Sequence, residues 1–221
     1  MQEEQLKNIE SDDLDDLLCR IETSFGIKFG QDELLHVTTF GELCDIITSK
    51  MQLTDRRDCT SQQAFYKFKQ AIGASIPECS IMPDSSLSVL LPPAKRKQIW
   101  RSVEYQLGFK LKIIGASSTV TSILLISFFA SLAAFIFSAK VAGIGLLIST
   151  VASMIAGKVG NTLHVQTVRE CVERMTRENY LKSRREPSTF NRAEIASQVQ
   201  AIFMDGLALP TSALHREATF V

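Results

Sequence analysis

A serine followed by four carboxylates is the most distinctive chemical feature near the N-terminus. Ser11 precedes Asp12, Asp13, Asp15 and Asp16, and serine is a favoured residue at the N-cap of a helix. Carboxylates in the first turns of a helix interact favourably with the positive end of its dipole. The spacing therefore predicts an exposed acidic helix that begins near Ser11. Taken by itself, such a helix can simply be a solvated acidic face.

No other arrangement of side chains indicates catalysis or metal binding. His36, His164 and His215 lie far apart in the sequence without the spacing of metal ligands. The sequence contains no Ser/His/Asp elbow, no glycine-rich phosphate loop and no paired acid and base motif. Its five cysteines are widely spaced without a CxxC pair, so we expect reduced thiols. We therefore expect a protein that is not an enzyme.

The N-terminal segment has the periodicity of short helices. Apolar residues at three- and four-residue spacing from Leu14 to Phe25 form one stripe, and Gly26 ends the helix. A short helical segment is expected over residues 31–37. Thr39 and Glu42 then form a capping box that opens a further helix. The pattern indicates an all-α fold for this part of the chain.

Two runs in this segment resemble the acyl carrier protein family. The run SDDLDDLLCRIETSFGIKF (residues 11–29) resembles the family's second helix and the loop after it. The run HVTTFGELCDII (residues 36–47) resembles the family's last helix. A third run, RAEIASQVQAIF (residues 192–203), is similar to the family's first helix, although it lies near the C-terminus. The resemblance implies a small acyl-carrier-like helical bundle, with a permuted order of helices.

The resemblance also implies a prosthetic group and a class of partner. In the family a serine at the position of Ser11 carries 4′-phosphopantetheine, and the acidic helix docks basic patches of acyl-processing enzymes. Asp12 follows Ser11 where the family has leucine, and residues 6–9 replace the family's glycine-containing loop. Two functions therefore stay open. Either Ser11 holds an acyl group for membrane-associated lipid or secondary-metabolite enzymes, or the chain is an adaptor without a prosthetic group and Ser11 is a plain N-cap.

Two uncharged runs in the middle of the chain predict membrane spans. Residues 113–137 and 141–157 carry no charge, and only a short link with Lys140 separates them. About 20 apolar residues suffice to cross a bilayer as a helix, and so short a link forces an antiparallel hairpin. Basic residues flank both outer ends of the hairpin, and the positive-inside rule then puts both termini in the cytoplasm. We expect a bacterial-type inner (cytoplasmic) membrane.

Small residues at four-residue spacing indicate close packing of these spans. They allow two helix backbones to approach each other, either within the hairpin or in a homodimer. An oligomeric channel is the third alternative, but no ionisable group lies inside either span. The small residues are Ala130, Ala134, Ser138, Ser149, Ser153 and Gly157.

The rest of the chain predicts further helices on both sides of the hairpin. One helix begins at Thr60 and is stopped by Gly73, and another follows Pro92 and Pro93. The basic run 95–97 with Trp100 indicates an interfacial helix on anionic lipid headgroups. The formal net charge of zero argues against a nucleic-acid binder. The charge is divided, because residues 1–60 sum to −8 and the rest to +8.

The sequence thus predicts an all-α protein with a two-helix transmembrane hairpin. Too few residues precede Ser11 to cover the apolar stripe of the N-terminal helices, so we expect the tail helix to cover it, in the same chain or in a neighbouring copy. The competing interpretation is that the tail is left unpaired. The expected segments are acyl-carrier-like helices over 1–53, a helical linker or interfacial region over 54–112, the hairpin over 113–160, a charged connector helix over 161–187 and the carrier-like tail over 188–221.

Overall fold

The computed structural model describes residue 6 and residues 9–76, 80–136 and 138–220. These residues are mostly helical, as the sequence predicts, with four two-residue strands between the helices. The helices are α1 (Ser11–Phe25), α2 (Phe40–Lys50), α3 (Thr60–Gly73), α4 (Leu87–Leu90), α5 (Arg96–Leu107), α6 (Ser118–Ala133), α7 (Ala139–Val159), α8 (Val168–Glu178), α9 (Tyr180–Ser183) and α10 (Ile195–Leu207). The strands are β1 (Thr54–Asp55), β2 (Ile114–Gly115), β3 (Thr162–Leu163) and β4 (Thr189–Phe190).

Two separate hydrophobic cores organise the helices outside the hairpin. We call α1, α2 and α10 unit A, because their apolar faces share one core. We call α3, α4, α5 and α8 unit B, because they share the other. Within the region 54–112, expected as a linker or interfacial region, α3 packs on both α5 and α8, the expected connector helix, so these helices share one core. Strongly amphipathic α8 needs an apolar surface to cover its buried face, and α3 and the core of unit B provide it.

The two units repeat the same local structure at the end of one helix. Gly26 ends α1 and Gly108 ends α5, and both glycines have the positive φ that a left-handed C-cap requires. A glutamate four residues before each glycine then accepts a hydrogen bond from a backbone N–H in the loop that follows. Glu22 Oε1 accepts from Phe29 at 2.7 Å, and Glu104 Oε1 accepts from Leu111 at 2.8 Å.

The units also share a strap, which is a short segment whose backbone forms hydrogen bonds with the start of one helix. In unit A this helix is α2 and the strap is the segment 216–220; in unit B they are α8 and the segment 83–87. Three bonds in one unit have direct counterparts in the other, which indicates one fold built twice. In unit A they join Phe40 N to Ala218 O, Gly41 N to Arg216 O and Phe220 N to Thr38 O; in unit B they join Val168 N to Ser85 O, Arg169 N to Pro83 O and Leu87 N to Gln166 O.

The helices of unit A come from opposite ends of the chain. α10 packs on both α1 and α2, and Phe203 meets Phe40 edge to face at 5.5 Å. This agrees with the expectation that the tail covers the N-terminal stripe, and it shows that the tail can do so within one chain. Unit B instead keeps its helices in sequence order, with the hairpin inserted between α5 and α8.

A buried polar network joins the two units. The guanidinium of Arg184 is fully buried and donates to the hydroxyls of Thr60 and Thr189. Glu194, which precedes α10, accepts hydrogen bonds from Thr60 at the start of α3 and from the hydroxyl of Tyr180. A buried charge is costly unless it is paired and hydrogen-bonded, so this network fixes how α3, α9 and α10 meet.

Two helices of the structure are long and apolar enough to cross a membrane. α6 continues through a 3₁₀ turn to Ile136, and α7 is 21 residues long. Their apolar side chains face outward: none of the apolar window of the first helix is buried, and only 11% of that of the second. The first helix begins at Ser118 rather than at Ile113, because Ile113 lies buried in the core of unit B and β2 pairs with β3.

The small residues that pack between α6 and α7 are only partly those expected from the sequence. Ser149 is buried and its hydroxyl lies 3.0 Å from that of Ser127, so its expected role is confirmed. A Cβ built on Gly145 would lie 2.5 Å from Ser131 Oγ, whereas one built on Gly157 would meet no atom within 4 Å. The interface on α7 thus lies closer to the tip of the hairpin than the Ser149, Ser153 and Gly157 spacing indicated.

Two further local expectations differ from the structure. Residues 31–36 form turns rather than a helix, and the carboxylate of Glu33 accepts hydrogen bonds from Gly30 N–H and Lys50. Trp100 is not an interfacial anchor, because it is only 4% exposed and its Nε1 donates to Leu111 O at 3.0 Å. The side chain shares the inner face of α5 with Val103 and packs near Phe68.

We predict that leucine at position 145 disrupts the hairpin, whereas leucine at position 143 does not. Gly145→Leu would force a side chain into Ser131, and overpacking of this kind costs about 1–3 kcal/mol. Gly143→Leu is the matched control, since a Cβ there meets nothing within 4 Å. Thermal unfolding in detergent measures both variants. Equal melting temperatures for the two would contradict the packing described.

Candidate docking helix

Ser11 lies exposed at the first residue of α1 and does not cap the helix. The N-cap position belongs to Glu10, and no side chain caps the helix. The expected role of Ser11 as N-cap is therefore wrong, because the helix starts one residue earlier than the cap assignment requires. The Ser11 hydroxyl makes only a long contact of 3.5 Å with Asp12 Oδ1. It is thus accessible for covalent modification.

The four carboxylates after Ser11 all lie on the exposed surface of α1. Asp12, Asp13, Asp15 and Asp16 are exposed, and none of them forms an ion pair within the described part of the chain. Ion-paired carboxylates would be partly neutralised by their own protein. This acidic face instead keeps its charge available for a partner, and long-range attraction of that kind raises association rates.

The opposite face of α1 holds the helix rigidly in unit A. Leu17, Ile21 and Phe25 are buried in the core of unit A, and α1 packs on α10, α8 and α9. At the C-terminal end the side chain of Lys28 donates to Glu22, and this bond, together with the Phe29 N–H, lowers the pKa of that carboxyl. The helix that carries the acidic face is therefore held in place along its buried side and at its C-terminal end.

A cleft of about 600 Å³ runs beside α1, between the two units. Asp205 on α10 bridges Arg20 of α1 and Arg177 of α8, with 2.8 Å between Arg177 Nη2 and its carboxylate. Five cations and three carboxylates line the cleft. The charged lining residues are Asp16, Arg20, Lys110, Lys112, Arg174, Arg177, Glu178 and Asp205.

The equivalent helix of unit B carries the opposite charge. Aligning Glu22 with Glu104 places Pro93 opposite Ser11, so unit B has no hydroxyl at that position. The acidic residues of α1 align with a segment that contains Lys95 and Lys97. The two units therefore share a fold but present different surfaces. The repeat is also visible in the sequence. Each copy has a glutamate, a glycine four residues later and a lysine two residues after the glycine.

Among the described residues, the cysteines divide into a buried pair and an exposed pair. Cys44 and Cys171 are buried, and burial raises the pKa of each thiol to about 12. Such thiols are poor nucleophiles at neutral pH. Cys19 and Cys59 are free and exposed, and Cys79 lies outside the described residues. No group of histidine, cysteine and carboxylate side chains that could hold a metal ion occurs among the described residues.

Comparisons of the chain with models of protein families, with curated proteins and with solved structures find no match.

We predict that acid destabilises the protein partly through Glu22, whose carboxylate accepts hydrogen bonds at the C-terminal end of α1. The folded pKa of this carboxyl is lowered, so its contribution to stability is present above the unfolded pKa and is lost as the pH falls through the folded one. The free energy of unfolding should therefore fall more between pH 7 and pH 3, roughly the carboxyl range, in the native protein than in Glu22→Gln. Lys28→Gln should reduce the same pH dependence. Parallel pH curves for all three proteins would contradict this assignment.

Proposed function

We propose that this chain is a membrane-anchored, acyl-carrier-like docking protein. The hairpin of α6 and α7 anchors it in a cytoplasmic membrane of bacterial type, and α1 docks basic patches of membrane-associated acyl-processing enzymes. The observation that carries the proposal is the acidic face of α1, whose four carboxylates are exposed on a helix fixed by its buried side. The proposal assigns no catalytic step to the chain.

The distribution of charge along the hairpin supports this orientation. The basic residues Lys112 and Lys158 lie at the open end of the hairpin, near units A and B, whereas only Lys140 lies at the tip. Cytoplasmic ends of membrane helices carry the excess of lysine and arginine. Both termini, and with them the acidic helix, would then face the cytoplasm.

A carrier role for Ser11 is a second candidate, favoured by a specific observation. The hydroxyl is exposed at the start of α1 and is not used as a helix cap. It therefore has the accessibility that attachment of 4′-phosphopantetheine requires. Unit B offers Pro93 at the equivalent position, so the candidate role concerns one serine in each chain.

Intact-mass measurement tests the carrier role. We expect the chain, co-expressed with a broad-specificity phosphopantetheinyl transferase, to gain the mass of one phosphopantetheine group. Ser11→Ala should abolish the gain without changing the helix, because the Ser11 side chain makes no capping hydrogen bond. A native protein that stays unmodified would leave docking without a prosthetic group as the function.

Neutralising the acidic face tests the docking role. We predict that Asp12→Asn, Asp13→Asn and Asp15→Asn together slow association with a purified acyl-carrier-dependent acyltransferase that has a basic docking patch. The salt dependence of the rate should fall as well, because screening acts on these charges. Stopped-flow measurements at several salt concentrations give both quantities.

A matched control removes three exposed carboxylates elsewhere on the protein. Asp32→Asn, Glu173→Gln and Glu217→Gln change the net charge by the same amount but leave α1 intact. We expect this control to retain most of the native association rate. An equal loss in both triple variants would indicate a net-charge effect, and no loss in either would leave α1 as a merely solvated face.

A further inference from the structure

A basic groove lies at the foot of the hairpin, between α5 and the end of α7. Its cationic lining residues are Lys97, Arg101, Lys112 and Lys158, and we call this the headgroup groove. The groove encloses about 190 Å³, and through Lys97 and Arg101 it continues into a neighbouring hollow beside Pro93. Except for Lys97, which is half-buried, these cations are exposed.

The position of the groove matches the level of lipid headgroups. The ammonium group of Lys97 donates to the carbonyl oxygens of Lys158 and Val159, each at 2.8 Å. These carbonyls belong to the last turn of α7, where the apolar helix ends. If α7 crosses a bilayer, its end lies where the hydrocarbon gives way to phosphate groups. The cations of the groove would then lie beside those phosphates.

The electrostatics of the groove favour an anion. None of its four cations forms an ion pair within the described residues. Glu104 is the one carboxylate in the described lining, and its Oε1 already accepts the Leu111 N–H at 2.8 Å. The groove thus has a surplus of donors and positive charge that the protein itself does not satisfy. A phosphate oxygen matches both properties.

The groove is fixed relative to the hairpin. β2 pairs with β3, and a Cβ on Gly160 would lie 2.3 Å from the backbone nitrogen of Ala116, so the two stems of the hairpin are in close contact. Arg96, which is buried, donates to the carbonyl oxygens of Leu91 and Asn161 and ties α5 to the same stem. The backbone that carries these cations is therefore held close to the end of α7.

We propose that the headgroup groove binds the phosphate of an anionic phospholipid. The inference rests on the proposed placement of the hairpin in a membrane. It adds a preference for lipid charge, which a hydrophobic anchor alone would not have. Basic side chains near an anionic membrane surface contribute about 1 kcal/mol each, or about fivefold in the association constant.

Spin-labelled lipids test the preference in the full chain. The protein is reconstituted into phosphatidylcholine vesicles that contain a trace of spin-labelled phosphatidylglycerol or spin-labelled phosphatidylcholine. Electron paramagnetic resonance then gives the immobilised fraction of each lipid. We expect a several-fold preference for phosphatidylglycerol, and Lys97→Gln with Lys112→Gln should abolish it.

Two further variants provide a second substitution in the groove and a matched control outside it. Arg101→Gln changes an exposed side chain of the groove that makes no hydrogen bond within the described structure, and it should lower the preference if the double variant is unstable. Lys69→Gln with Lys182→Gln is the matched control, since these exposed lysines lie outside the groove lining. We expect this control to keep the native preference.

The outcomes separate the groove from the anchor and from soluble anions. Immobilised lipid without a preference for phosphatidylglycerol overturns the groove proposal, whereas no immobilised lipid of either kind overturns the membrane anchor. A preference that persists in both groove variants also overturns the proposal. Loss of the preference when inorganic phosphate is added at constant ionic strength would assign the groove to a soluble phosphate instead. A preference insensitive to such phosphate supports the lipid.

Discussion

The fold depends on covering the apolar faces of α1 and α2. The turns between α1 and α2 supply no helix for this purpose, and an uncovered patch of this kind is unfavourable in water. α10 supplies the cover, although its ion-pairing partner Arg20 is 185 residues away from Asp205. The segment between α2 and α10 must therefore bring α10 back to α1 and α2. The antiparallel hairpin, the strand pair β2 and β3 and the junction at Arg184 together make that return.

The duplicated fold explains how one small protein combines two surfaces. Units A and B share the glutamate, glycine and strap arrangement, so each holds its long exposed helix in the same way. In unit A that helix is acidic; in unit B it is basic and contacts the end of α7 through Lys97. Insertion of the hairpin between α5 and α8 places the basic helix beside the end of α7. The proposed division of labour is therefore docking by unit A and anchoring by unit B.

Local patterns predicted a good part of this structure. The bounds of α1, the capping box at Thr39 and the helix stops at Gly26 and Gly108 follow from residues that act within one or two turns. The apolar hairpin also follows from composition. The burial of Trp100 was not predicted, because its core is completed by α8, which lies beyond the hairpin in sequence. Local spacing cannot show which distant helix covers a given face.

The candidate site shows the same limit. The acidic face of α1 could be predicted from four aspartates, but whether Ser11 capped the helix depended on a single residue of register, which sequence patterns do not fix reliably. The repeat was legible in the sequence, in the two runs Ile21–Phe29 and Val103–Leu111. Its significance emerges only when the straps and cores of the two units are compared.

Cross-linking of α1 to α10 tests the central claim, that the two ends of one chain build unit A together. Arg20→Cys and Asp205→Cys, with the native cysteines replaced by serine, would place thiols where two side chains now form an ion pair. A short bifunctional thiol reagent applied to the reconstituted full chain should give an intramolecular bridge at the mass of the monomer. A bridge at the mass of a dimer, or no bridge in a folded protein, would contradict the account.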